Sequence, residues 1–314
     1  MASLEDRWNA SDGGSWGVSP PAAVLDSRLP DIDWSVPPAG SRRLQLPAPS
    51  GSLAALAMGN PAAPAVVLVP GVMGSKEDFS LVMPLLAASG YYVLSYDIAG
   101  QYESAAAGPE HLDPPGRHYD YRLYVEDLLT ILAGLNGPAH VLGHSFSGVV
   151  SALGLLRSPD AFRSLVLMST PPVAGLSFRA VPVLGPFARL VPAKLSASLI
   201  VWGVKRNFVR VPPARMRFVH QRFALTRRRS IQDIMGLLRD VPDFGAQLAQ
   251  SAVPKLVAVG EHDIWPNQEH ADFASAVGAR LAVYRGGHSP CETNPHQLTQ
   301  DLLSLYERAS KPAA

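Results

Sequence analysis

The chain has 314 residues, of which 47% are hydrophobic and 17% charged, and its formal net charge is +1. That length and apolar fraction suffice for one large core and exclude a chain disordered throughout, while the near-neutral charge argues against a dedicated nucleic-acid binder. A single cysteine, Cys291, excludes an intrachain disulfide framework and a cysteine-rich metal site, and fits a reducing, cytoplasmic setting.

Residues 1–40 are rich in Pro, Gly, Ser and Asp, with Trp8, Trp16 and Trp34 scattered among them. They show no periodicity and read as an extended arm, either disordered or laid across the body with its tryptophans as anchors. No basic segment followed by an apolar one opens the sequence, so no secretory leader is expected, and no stretch has the ~18 uninterrupted apolar residues of a membrane-crossing helix. Residues 43–46 and 52–58 flank a Pro-Ser-Gly turn and predict an antiparallel hairpin at a sheet edge.

The run 65–69 is continuously apolar, as in a strand buried on both faces of a parallel sheet. It breaks at Pro70-Gly71-Val72-Met73-Gly74-Ser75. A helix over 77–89 and a strand over 91–96 follow, which implies a right-handed parallel crossover. A polar loop runs from Asp97 to about Arg117, and 121–135 reads as a helix. The next strand ends in Gly143-His144-Ser145-Phe146-Ser147-Gly148, after which small apolar residues to Leu156 take helical spacing. Such a strand–turn–helix forces Ser145 into a strained backbone and presents its hydroxyl at a helix N-terminus, where free N–H groups and the helix dipole favour an oxyanion.

A further strand is expected over 164–168. From about 171 to 248 the alternation stops, giving way to mostly helical, basic and apolar stretches punctuated by prolines. It resumes with a strand over 255–260, a helix over 267–277, a strand over 280–284 and a helix over 295–309. The interruption reads as an insertion, so the expected organisation is an arm (1–40), a core (41–170 and 249–314) and the insert (171–248). Between 171 and 248 there are 13 Lys and Arg against 3 Asp, a net +10. The plain reading is a solvated basic face whose arginine stems cover apolar surface. The sharper readings are capture of an anionic substrate or contact with an anionic membrane. Leu195, Leu199, Ile200, Trp202, Val204 and Phe208 suggest a helix roofing a pocket.

The elbow string resembles the Gly-x-Ser-x-Gly of the α/β-hydrolase family, with Ser147 standing for the second glycine. Asp97 to Ser104 is similar to that family's Asp-x-x-Gly-x-Gly-x-Ser loop, with Tyr102 in place of a glycine. The resemblance implies an α/β-hydrolase fold, a mostly parallel sheet flanked by helices, with a helical cap at the insert. Two later sites then fall in the family's order. Asp263, in Gly-Glu-His-Asp, lies just past one strand, and His288, in Gly-Gly-His-Ser-Pro, just past the next. Both sit on the sheet edge that carries Ser145, where ligands of open α/β sheets bind.

A serine hydroxyl is a poor nucleophile until a base takes its proton, and that base needs an orienting acid. Ser145, His288 and Asp263 are therefore the expected nucleophile, base and acid. Phe146 and Val72 are, by the resemblance, the expected oxyanion-hole N–H donors. Asp97 is read as a loop-structuring residue, His144 as a packing or hydrogen-bonding neighbour, and Cys291 as a small buried hydrophobe. The implied activity is cleavage of a small-molecule carboxylic ester, with thioesters, C–C bonds, lactones and perhydrolysis open to the same three residues. A non-catalytic ligand-binding role is the reading from another class. No cofactor, metal or nucleic-acid partner is called for.

Overall fold

In the computed structural model, residues 20–175 and 212–310 are described. Trp8, Trp16 and the stretch from Leu195 to Phe208 lie outside them. Among the described residues one sheet of eight strands is formed: β1 (Arg42–Ala48), β2 (Gly51–Met58), β3 (Ala65–Val69), β4 (Tyr92–Tyr96), β5 (Ala139–His144), β6 (Phe162–Met168), β7 (Lys255–Gly260) and β8 (Arg280–Tyr284). Their order is β1-β2-β4-β3-β5-β6-β7-β8. The β1/β2 hairpin and the β2/β4 pair are antiparallel, and all later pairs are parallel. The hairpin thus occupies the sheet edge, as its turn composition predicts.

Alternate residues of β3 serve two cores. Ala65, Val67 and Val69 face one apolar cluster, while Val66 and Leu68 face the other. Both faces of the pleat are covered, which explains why the run is continuously apolar rather than alternating. The direction in which successive strands are added reverses at β3, because β4 lies on one side of it and β5 on the other, all three parallel. That switch point opens a crevice at the C-terminal strand ends.

The helices in chain order are α1 (Pro20–Asp26), α2 (Met83–Ala88), α3 (Tyr121–Ala133), α4 (Phe146–Arg157), α5 (Pro213–Leu225), α6 (Arg228–Arg239), α7 (Gly245–Gln250), α8 (Asn267–Ala276), α9 (Pro290–Thr293) and α10 (Pro295–Ala309). Two differ from expectation. The helix expected over 77–89 is split into a single 3-10 turn, Lys76–Phe79, and the short α2. Pro84 sits in the first turn of α2, where its missing N–H costs nothing, whereas inside a longer helix it would break the ladder. Within the arm expected to be extended, residues 20–26 form α1. Asp26 closes that helix by accepting from His296 N–H at 2.9 Å and Gln297 N–H at 3.1 Å, which satisfies the otherwise orphan donors at the start of α10. Trp34 is 4% exposed.

The β6–β7 crossover carries α5, α6 and α7, and α6 buries Ile234, Met235 and Leu238. No described helix is long and apolar enough to cross a membrane.

Candidate active site

Ser145 stands between β5 and α4 with φ 54° and ψ −118°, one of the few non-glycine residues with positive φ among the described residues. Such a backbone costs about 1–3 kcal/mol and persists because its surroundings over-determine it. Ser145 N–H bonds Met168 O at 2.8 Å, which extends the ladder of β6 into the turn. The helix can approach only because of two glycines: a Cβ on Gly143 would strike the Ser147 carbonyl, and one on Gly148 would strike Thr170. The family's second glycine is Ser147 here, and its hydroxyl donates to Pro70 O at 2.6 Å. The substitution is thus accommodated by a bond to the loop after β3. Phe146 is the first residue of α4, so its N–H has no partner within the helix.

His288 and Asp263 meet, with Nδ1 to Oδ1 at 2.8 Å. Their loops are tied by main-chain bonds from Glu261 N–H to Tyr284 O at 2.7 Å and His262 N–H to Gly286 O at 2.9 Å. Asp263 Oδ1 also accepts its neighbour Ile264 N–H at 2.5 Å. Burial pushes the Asp263 carboxyl up, but the charge and hydrogen bond of His288, with Ser169 and His270 beside it, hold it well below the usual range. It is therefore a carboxylate, and its bond to Nδ1 fixes the His288 ring with Nε2 on the far side from it.

Three further groups brace this pair. His144 Nε2 donates to the His288 carbonyl at 2.9 Å, and burial, reinforced by the nearby His288, lowers the His144 pKa to about 4. The expectation that His144 is a hydrogen-bonding neighbour fits this bond. Trp265, 1% exposed, lies with its ring centroid 5.7 Å from that of His288. His270 is wholly buried with Nε2 3.8 Å from Asp263 Oδ2, and burial likewise draws its pKa to about 4.

The loop after β3 carries Val72. Met73, at φ 61°, donates its N–H to Gln101 Oε1 at 2.9 Å, and Gly74 N–H bonds Gly71 O at 3.0 Å. Gln101 in turn donates to Ser230 Oγ of α6 at 2.5 Å, linking this loop to the crossover. Tyr102, which stands where the family has glycine, adopts φ 40° and donates its N–H to Thr226 Oγ1 at 3.0 Å. Asp97 lies apart from this site. It is fully buried against Lys76, whose backbone N–H and ammonium bond it at 2.7 and 3.0 Å.

Ser145 and His288 open on one cavity of about 310 Å³. Val72 lines it, with apolar walls from Met73, Met216, Val219, Phe223 and Trp265. Asp263 stands behind His288 with no exposed side-chain surface. One part of the wall is charged. Arg215 Nη2 reaches Asp78 Oδ1 at 2.6 Å, Arg215 Nε reaches Glu292 Oε2 at 2.8 Å, and Arg222 Nη1 pairs with the same Asp78 oxygen. Sequence reasoning missed this set. Its one sequence signal is the spacing of Arg215 and Arg222, about two helical turns apart and so on one face of α5. These two arginines of the basic segment point inward and are neutralised, rather than forming a solvated face. Among the described residues no cluster of three or more His, Cys, Asp or Glu is placed to hold a metal ion.

A mostly parallel sheet with this strand order, a strained serine after β5 and an Asp–His pair after β7 and β8 defines the α/β-hydrolase class. Residues 66–301 match the alpha/beta hydrolase family, and the chain belongs to it. A human serine hydrolase-like protein is 32% identical over 129 residues, 41% of this chain and 60% of that protein. Polyketide synthase ThaQ of Burkholderia thailandensis is 27% identical over 289 residues, covering 84% of this chain and 13% of the synthase. The chain thus spans less than two thirds of the length of these curated relatives. Among solved structures, a hydrolase from Pseudomonas aeruginosa superposes with a TM-score of 0.68 at 24% identity, covering 85% of this chain and 98% of that one. Carboxylesterase CesB from Bacillus subtilis gives 0.67 at 19% identity, covering 91% and 98%. These structural likenesses bear on the fold alone.

Proposed function

We propose that the protein is a serine hydrolase that cleaves carboxylic esters through an acyl-enzyme on Ser145. The observation that carries this reading is the 2.8 Å bond between His288 Nδ1 and Asp263 Oδ1, with His288 and the strained Ser145 lining one apolar cavity. His288 Nε2 takes the proton of Ser145 Oγ as the oxygen attacks the ester carbonyl. The negative charge that forms on the carbonyl oxygen is held by the N–H groups of Phe146 and Val72. Collapse of the tetrahedral intermediate expels the alcohol, which leaves with the proton from His288. Water, deprotonated by His288, then attacks the acyl-enzyme, and the second collapse returns the proton to Ser145. Asp263 stays ionised and stabilises the imidazolium in both halves. The crossover helices α5 and α6 act as a cap that supplies the apolar wall. Serine chemistry of this kind draws on no metal or organic cofactor.

Thioester cleavage is the second reading. It is favoured by the breadth of the match to a polyketide synthase, and the same steps serve it with a thiol as leaving group. The test is labelling with a fluorophosphonate probe alongside hydrolysis of p-nitrophenyl esters of graded chain length and of matched thioesters. Loss of both labelling and turnover in Ser145→Ala is expected. Labelling that persists in that variant would move the nucleophile elsewhere, with Ser147 first in line.

A further inference from the structure

The charged part of the cavity wall has more donors than acceptors. Each guanidinium presents a fork of N–H groups. Glu292 takes two bonds from Arg215, at 2.8 Å from Nε and 2.5 Å from Nη2. Asp78 Oδ1 is shared by both arginines, and Asp78 Oδ2 is occupied by Ser75 N–H at 3.2 Å. Arg215 Nη1 and Arg222 Nε are then left buried with no acceptor among the described residues. A buried donor without an acceptor costs about 1–3 kcal/mol, and more on a charged group. Both side chains line the cavity that also holds Ser145 and His288, so an acceptor brought by the ligand meets these nitrogens once a guanidinium turns toward it.

The charge balance decides what kind of acceptor. Two guanidinium groups face two carboxylates, so the set is already neutral, and a substrate carboxylate would add an uncompensated charge to a site removed from water. An uncharged carbonyl supplies lone pairs without that cost. The two arginines are also unequal. Arg215 is gripped by both carboxylates and covered by the Trp34 ring, 4.5 Å from its Cζ to the centroid, whereas among the described residues Arg222 pairs with Asp78 alone, with a long 3.4 Å contact to Ser75 Oγ.

We propose that this wall is a specificity subsite for an uncharged oxygen acceptor, a ketone, amide or lactone carbonyl carried by the part of the substrate that is not cleaved, with Arg222 as the side chain that reads it. The assignment rests on the hydrolase reading above for its choice of substrate. It makes the preferred substrate an apolar chain interrupted by a carbonyl rather than a plain alkyl ester or an anionic one. Burial draws the Arg222 pKa down despite Asp78, which fits a guanidinium short of partners.

The test compares kcat/KM for p-nitrophenyl esters of equal chain length in three sets: unsubstituted, bearing one ketone at successive positions, and ending in a carboxylate. A ketone at one position should raise kcat/KM roughly tenfold or more over the alkyl ester, the usual range for a bond to a charged donor, with the carboxylate below both. The ketone advantage should collapse in Arg222→Gln. It should collapse equally in Arg222→Lys, which keeps the charge but loses the planar fork, so that a folded, charge-balanced variant carries the comparison. Equal rates for ketone and alkyl esters at every position overturn the assignment, as does an advantage that survives in either variant or a preference for the carboxylate. Should the wild-type protein neither turn over nor label with fluorophosphonate, the hydrolase reading alone fails. Calorimetry with matched keto- and alkyl-amides then reads the subsite directly: tighter keto-amide binding supports it, and equal binding overturns it.

Discussion

Ser147 Oγ donates to the Pro70 carbonyl at 2.6 Å, joining the elbow that presents Ser145 to the loop that carries Val72. Both partners are buried, so the bond fixes the spacing between the two proposed oxyanion donors, Phe146 N–H and Val72 N–H. Ser147→Ala keeps the small volume but leaves the Pro70 carbonyl without that donor. The expected cost is about 1–3 kcal/mol of stability, read by chemical denaturation, and kcat should fall while KM for a short ester changes little. Unchanged kcat with lowered stability would make the bond purely structural.

The acid is tested by contrast. Asp263→Asn should lower kcat by roughly three to four orders of magnitude, because an amide can hold His288 in the wrong tautomer and cannot stabilise its charged form. Asp243→Asn serves as the control: that side chain is exposed and accepts from the nearby Gly245 N–H at 3.2 Å. Near-normal turnover in the Asp263 variant would require the acid to come from another strand end.

Buried histidines set the response to acid. His144 and His270 have pKa values drawn by burial from 6.5 to about 4, so the folded state resists protons that the unfolded chain accepts. Their contribution is present in full above pH 6.5 and is lost as pH falls toward 4. In that window each lowers the unfolding free energy by about 1.4 kcal/mol per pH unit. Denaturation curves across this range should show the decline, and His270→Leu should make it shallower. A slope unaltered by that substitution would assign the acid sensitivity to other groups.

What could be read from the chain was local. Ser145, Asp263 and His288 each follow a recognisable strand and recur in a fixed order, so their positions needed no knowledge of packing. The break in the helix expected over 77–89 was signalled by Pro84, but apolar periodicity across the break concealed it. The charged wall was hidden for a different reason. Arg215 and Asp78 lie 137 residues apart and Arg222 and Asp78 lie 144 apart, so no window of sequence contains the pair. Composition showed only an excess of arginine, and a buried, neutralised arginine has the same composition as a solvated one.

That wall yields the last prediction. Asp78 is buried and its pKa is held down to about 2, burial being outweighed by Arg222 and Arg215. Asp78→Asn removes the one carboxylate among the described residues that pairs with Arg222 and leaves a buried guanidinium uncompensated, an expected loss of roughly 3–5 kcal/mol. Arg222→Leu alone is milder, since Asp78 keeps Arg215. The double variant Asp78→Asn, Arg222→Leu should therefore lose less than the sum of its parts, because the second change removes the stranded charge made by the first. The check is a double-mutant cycle by urea denaturation, run with and without added salt. A strictly additive cycle would mean that the two side chains touch without stabilising each other. A coupling that vanishes in salt would place the pair in contact with bulk solvent rather than in the buried wall of the cavity.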